Sequence, residues 1–83
     1  MKVIVKYFAS IREAVGLASE SVTTDAANLA ALRDELIGRG EAYADSLARG
    51  RAVRLAINQV MSDEAAALVE GAEVAFFPPV TGG

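Results

Sequence analysis

Neither cysteine nor histidine occurs in the 83 residues. The first absence rules out disulfides and thiol nucleophiles within the chain, and the two together remove the usual zinc ligands. Without histidine, no side chain has an ordinary pKa suited to general acid–base work near neutrality. Ser–His chemistry is impossible, and carboxylates, serines and lysines alone argue against a complete hydrolytic or redox site. Lysine is scarce too: Lys2 and Lys6 are the only ones. The two prolines are adjacent, at Pro78 and Pro79.

Charge and long apolar runs are equally limited. A net charge of −3 argues against nucleic acid as a partner, since phosphate binding rests on clustered Lys and Arg. The one basic cluster is Arg49, Arg51 and Arg54 around Gly50. It is expected to be a solvated turn, with a docking site for an acidic partner as the alternative. "MKVIVKYF" is too short and too interrupted by lysine for a signal peptide, and no stretch is apolar for long enough to span a bilayer. No membrane partner is expected, and a cytoplasmic location is.

What remains is the composition of one small globular domain, 53% apolar. A chain this short buries only about 60–65% of the surface its unfolded form exposes, so its stability margin is thin. "KVIVKYFA" alternates and predicts a strand over 2–9. Val3, Val5 and Tyr7 share its inner parity; Lys6 marks the other face as outer and carries Ile4 and Phe8 with it. Ser10 and Glu13 have capping-box spacing, Ile11 and Val15 share a helical face, and Gly16 can end the helix left-handed. A second strand is predicted over 19–24.

Asn28 is a good N-cap for "LAALRDELIGRG", where Leu29, Leu32 and Leu36 form one stripe and Asp34 and Glu35 face away. "EAYADSLAR" adds a turn or two of helix with Tyr43 and Leu47 inward. "VRLAINQ" is the third strand, with Leu55 and Ile57 inward and Arg54, Ala56 and Asn58 outward. Asn58 and Gln59 form the turn to a short strand over 60–62. "AAALVEGAE" is a loop closed by Gly71, and "EVAFF" is the last strand, with Val74 and Phe76 inward. Glu73 marks its outer face, which places Phe77 outside. If the first and last strands pair, Phe8 and Phe77 share an open face and form an interaction patch.

The chain then finishes without charge, as "PPVTGG". Pro78 and Pro79 cannot donate to a sheet ladder, so the strand stops near Phe77 and the chain leaves extended. Residues 79–83 can reach roughly 15–18 Å. Gly82 and Gly83 carry no Cβ to crowd a narrow channel or an attack at the terminal carbonyl. Such an end is useful if an external enzyme adenylates the carboxylate with ATP and a sulfur or amine nucleophile displaces AMP.

"EVAFFPPVTGG" resembles the C-terminal signature of the small-subunit family of molybdopterin synthase, sulfur carriers with a ubiquitin-like β-grasp fold. "YFASIREAVG" and "AINQ" resemble that family's opening strand and helix and its third strand and turn. The likeness runs the length of the chain in order, and the tail is its specific part. It implies an α+β fold, a mixed sheet of four to five strands on one main helix. The β-grasp domain would cover 1–78 and a flexible tail 79–83.

The resemblance also implies a cycle. An E1-like enzyme, using ATP, would adenylate Gly83; a sulfur donor protein would convert it to a thiocarboxylate; the synthase's large subunit would receive the sulfur for a pterin precursor. Gly82 would ease passage of the tail, and the assembly would be a heterotetramer whose catalytic lysine lies on the large subunit. No cofactor or metal bound by this chain is implied, and the chain would donate sulfur without catalysing the step. Phe8, Phe77 and Met61, with Pro78, Pro79, Val80 and Thr81 of the tail, would meet the partners; for Met61, filling a gap in the core is the alternative. Other readings are a carrier for thiamine-thiazole synthesis, a ubiquitin-like modifier joined through Gly83, and an interaction module whose tail has no covalent role.

Overall fold

The computed structural model describes residues 1–79. Expectations for Val80, Thr81, Gly82 and Gly83 lie outside the described residues. Eight elements follow one another: β1 (Lys2–Tyr7), α1 (Ala9–Val15), β2 (Ser19–Thr23), α2 (Leu29–Ile37), α3 (Glu41–Leu47), β3 (Arg54–Ile57), β4 (Val60–Ser62) and β5 (Glu73–Phe77). The strands form one mixed sheet in the order β2-β1-β5-β3-β4. β1 and β5 run parallel at its centre, and every other pairing is antiparallel. This is the β-grasp arrangement expected, with α2 as its principal helix.

The alternation anticipated for β1 holds: Val3, Val5 and Tyr7 are buried. They meet Val22, Val74 and Phe76 from the neighbouring strands and Leu29, Leu32, Leu36 and Leu47 from α2 and α3. All the helical leucines are fully buried, so the stripe predicted for α2 is the one that covers the sheet. Asn28 caps α2 as expected, its side-chain oxygen accepting from the Ala31 amide at 2.9 Å. Gly16 ends α1 with φ 84° and donates to the Arg12 carbonyl. Asn58 and Gln59 both have positive φ (50° and 69°), the left-handed pair that joins β3 to β4 through a two-residue hairpin.

Two expectations at the end of β1 are overturned. The strand stops at Tyr7, and Ala9 already opens α1 with φ 51°. The N-cap is Phe8, which makes no side-chain cap bond, so Ser10 and Glu13 form no capping box. The cause lies across the sheet. The Phe8 amide donates to the Phe76 carbonyl at 3.2 Å, and the parallel ladder would next carry a bond from residue 78 to the Phe8 carbonyl. Residue 78 is proline and has no N–H. The Phe8 carbonyl instead accepts from the Ile11 and Arg12 amides, at 3.1 and 3.2 Å. One proline thus ends β5 and leaves free the carbonyl on which α1 starts.

Candidate functional site

The helices cover one face of the sheet, and the other stays open. Across the open face the strand register places Lys6 beside Ala75, Ala56 between Ala75 and Met61, and Arg54 opposite Phe77. Small residues at the centre and large ones at the margins make a groove of about 740 Å³. Phe8, Met61, Phe77, Pro78 and Pro79 all line it. These are all the residues singled out from the sequence for partner contact that fall within 1–79.

Their exposure is uneven for reasons of position. Phe8, just beyond β1, is 47% exposed, and Met61, on the edge strand β4, is 59% exposed. Met61 therefore faces solvent across the groove and fills no gap in the core. Phe77 is half-buried because the Phe8 ring stands against it edge to face, with centroids 6.4 Å apart. Ala56, expected to point outward, does lie on this face but is only 6% exposed. Its methyl group is too short to rise above its neighbours, so it makes the groove floor.

Lys6 and Glu73, the residues that marked this face as outer, bond to one another at 2.9 Å and line the same groove. Their charges largely offset each other, and an apolar surface lies beside the pair. No helix of the described residues is long and apolar enough to cross a membrane. No group of acidic side chains among the described residues is arranged to hold a metal ion.

On the helix-covered side, sequence reasoning missed two polar assemblies, one partly buried and one centred on a buried arginine. Glu20 accepts from the Tyr7 hydroxyl at 2.8 Å, the Tyr43 hydroxyl at 2.8 Å and the Arg39 guanidinium at 2.9 Å. Burial alone would raise the Glu20 pKa, but the three donated bonds and the Arg39 charge outweigh it and the net shift is downward. Burial, and then the bond to Glu20, push the Tyr7 hydroxyl well above the ordinary phenol range. Parity held a signal, since Glu20 shares the inward face of β2 with Val22 and an inward carboxylate needs donors. The second assembly centres on Arg33, 5% exposed, which donates to the carbonyls of Leu47, Ala48 and Arg51 at 2.7, 2.8 and 3.2 Å. Its signal was an arginine four residues after Leu29, on the leucine stripe itself.

The basic cluster around Gly50 divides. Arg49 is tied to Asp34 at 2.8 Å and to Glu64, and so fastens the loop after α3 to α2. Arg51 and Arg54 have no ion-pair partner among the described residues, and both are exposed.

Comparison with known proteins agrees with this geometry. The sequence pattern of the ThiS family matches residues 5–83. The chain belongs to the ThiS family. Over 79 residues it is 39% identical to the molybdopterin synthase sulfur carrier subunit of Haemophilus influenzae, with 95% of this chain and 96% of that one covered. Among solved structures, SAMP1 of Haloferax volcanii superposes with a TM-score of 0.79 at 26% identity, each chain covered in full. A ThiS-family chain with this sheet also resembles a chain in the complex of subunits 1 and 2 of the molybdopterin-converting factor of Helicobacter pylori. There the TM-score is 0.70 and the identity 27%, again with both chains covered in full. The mixed five-stranded sheet is thus a β-grasp fold of the ubiquitin-like kind.

Proposed function

We propose that this chain is the sulfur carrier subunit of a molybdopterin synthase. The observation that carries the proposal is the open apolar groove at the root of a tail that ends in Gly82–Gly83. The likeness to the curated Haemophilus influenzae subunit supports the same reading and favours it over a carrier for thiazole synthesis. An E1-like enzyme transfers AMP from ATP to the Gly83 carboxylate, with release of pyrophosphate. A sulfur donor protein then supplies the sulfur that displaces AMP, leaving a thiocarboxylate. The tail enters the large subunit, where the thiocarboxylate sulfur bonds to the pterin precursor and water then cleaves the resulting thioester, leaving the sulfur on the precursor and a carboxylate on Gly83.

The chain's own residues supply docking and reach. Phe8, Met61 and Phe77 give the large subunit an apolar surface, while Pro78 and Pro79 direct the exit and cut the conformational entropy lost on insertion. Val80 and Thr81 lead to glycines that a narrow channel accommodates. The large subunit provides the acid–base groups, in keeping with a chain that has no histidine or cysteine. The setting is cytoplasmic and the assembly a heterotetramer, with two small subunits on a large-subunit dimer.

The test is intact mass measurement after incubation with ATP, the cognate activating enzyme and a sulfur donor. A gain equal to one oxygen-to-sulfur exchange, mapped to the C-terminal peptide, is expected. An unchanged mass under conditions that load a known carrier overturns the reading. Deleting Gly83 should abolish loading and leave the melting temperature unaltered.

One observation favours a second reading. The likeness to SAMP1, a small archaeal modifier protein, supports attachment of Gly83 to lysines of other proteins. Lysine-linked conjugates in extract, in place of sulfur loading, would select it.

A further inference from the structure

Pro78 lines two grooves. One is the apolar groove of the open face; the other, of about 440 Å³, lies between α1, α3 and the loop that follows, and also holds Arg51, Asp45 and Ser46. Pro78 therefore forms the ridge between them. Arg54 lines neither groove but stands beside the first, opposite Phe77 in the β3–β5 register. Arg51 stands on the second side.

The other arginines behave differently. Arg33, Arg39 and Arg49 are engaged with carboxylates of the same chain. Arg12, which has no ion pair among the described residues, lies on α1 outside both grooves and outside the strand register that sets Arg54 opposite Phe77. Asp45 lines the smaller groove with Arg51 but makes no ion pair with it. An acidic chain of net charge −3 thus keeps two uncommitted guanidinium groups beside the root of its tail.

Exposed guanidinium groups present rigid donor forks matched to carboxylates. Beside an apolar centre they make the charged rim of an interface, which sets orientation and encounter rate more than affinity. A polyphosphate partner fits poorly, because Asp45 and Glu73 lie within the same two grooves and the whole chain is acidic. A protein surface with an apolar centre and carboxylates on either side of an opening fits well.

We infer that Arg51 and Arg54, on either side of Phe77–Pro78 at the root of the tail, are an orienting pair for carboxylates of the large subunit, placed around the mouth of the channel the tail enters. The inference rests on the proposed function and adds the chemistry of the partner's rim. It gives the docking a handedness that an apolar groove lacks, since each arginine sits on a different side of Pro78.

The experiment measures affinity of the cognate large subunit for the full chain across a salt series. The variants are Arg51→Glu with Arg54→Glu, Arg51→Lys with Arg54→Lys, and Lys2→Glu as a control at the opposite end of β1. Lys2→Glu matches a single reversal in charge change, so each arginine is also reversed singly. Reversal of both should weaken binding by about tenfold or more at low salt, and the deficit should shrink as salt shortens the Debye length to ~8 Å and below. The lysine pair should retain most of the affinity, and Lys2→Glu should change it less than twofold. Thermal melts establish that each variant is folded; if reversal disturbs packing at Phe77, the Arg51→Gln, Arg54→Gln pair and its reduced salt dependence give the same decision. Wild-type binding matched by the reversed pair at every salt concentration overturns the inference alone. No binding by the wild type overturns the proposed function and the inference with it.

Discussion

The rings of Phe8 and Phe77 meet edge to face, with planes at 89° and centroids 6.4 Å apart. Adjacent parallel strands bring them together, and no helix covers that face. Their neighbour Phe76 points the other way and is fully buried. Two consecutive phenylalanines therefore have separable roles. Phe76→Ala should cost about 3–5 kcal/mol of stability, as for other buried phenylalanines. Phe77→Ala should cost under ~1.5 kcal/mol yet weaken large-subunit binding by about 2 kcal/mol, the scale of an aromatic hot spot. Calorimetric titration and thermal melts separate the two. Undiminished affinity in Phe77→Ala would remove the groove from the docking account.

Pro78 offers a test of how the tail's root and α1 are joined. Pro78→Ala restores an N–H that can compete for the Phe8 carbonyl, at present held by the Ile11 and Arg12 amides. The added freedom of the unfolded chain costs a further ~0.4–1 kcal/mol. Hydrogen exchange at Ile11 and Arg12 should accelerate relative to α2, and stability should fall by about 1 kcal/mol. If α1 amides exchange at the wild-type rate, the proline does not govern where the helix starts.

The pH dependence of stability follows from Glu20 and Tyr7. The folded Glu20 pKa lies below its unfolded value, so its contribution is complete above the ordinary carboxylate range and is lost as pH falls through the folded value. The folded Tyr7 pKa lies above its unfolded value, so stability is complete below the ordinary phenol range and declines as pH rises beyond it. A plateau bounded by those two ranges is expected in chemical denaturation series. Glu20→Gln should lower the plateau by about 1.5–3 kcal/mol, the scale of bonds to a charged group, and flatten the acid limb. An acid limb of undiminished slope in Glu20→Gln would assign acid lability to other carboxylates.

Strand parity, caps and turn chemistry were legible because they depend on neighbours in sequence. Val3, Val5 and Tyr7 alternate, Asn28 sits three residues before the amide it caps, and Asn58–Gln59 adopt the turn their side chains tolerate. The groove was legible in part: Phe8, Met61 and Phe77 could be placed on the outer face once Lys6 and Glu73 had marked it. The start of α1 was not, because it depends on a donor that Pro78 lacks, some seventy positions away. Arg51 and Arg49 look alike in sequence. What divides them is whether Asp34 and Glu64 come within reach, which only the packing of α2 against the following loop decides.

Arg33 joins that packing to the loop that lines the smaller groove beside Pro78. Its guanidinium donates to the Leu47, Ala48 and Arg51 carbonyls and reaches Glu64 at 3.3 Å. Burial lowers its pKa from the ordinary value, with the Arg49 charge adding to the effect, yet it stays charged throughout the accessible pH range. Arg33→Leu keeps an apolar stem on the leucine stripe but leaves the Leu47 and Arg51 carbonyls without this donor, at about 1–3 kcal/mol for each one kept from water, while the Ala48 carbonyl still accepts from the Arg51 amide. Water can reach the loop from outside and satisfy part of this, so a net loss of about 2–4 kcal/mol is expected. In a domain this small such a loss is a large share of total stability. Because the Arg51 backbone is one of the groups held, a folded fraction of Arg33→Leu should also show faster exchange in the loop beside Pro78, while β1 and β5 keep their protection. Uniform loss of protection across the sheet would instead mean that Arg33 supports the core as a whole.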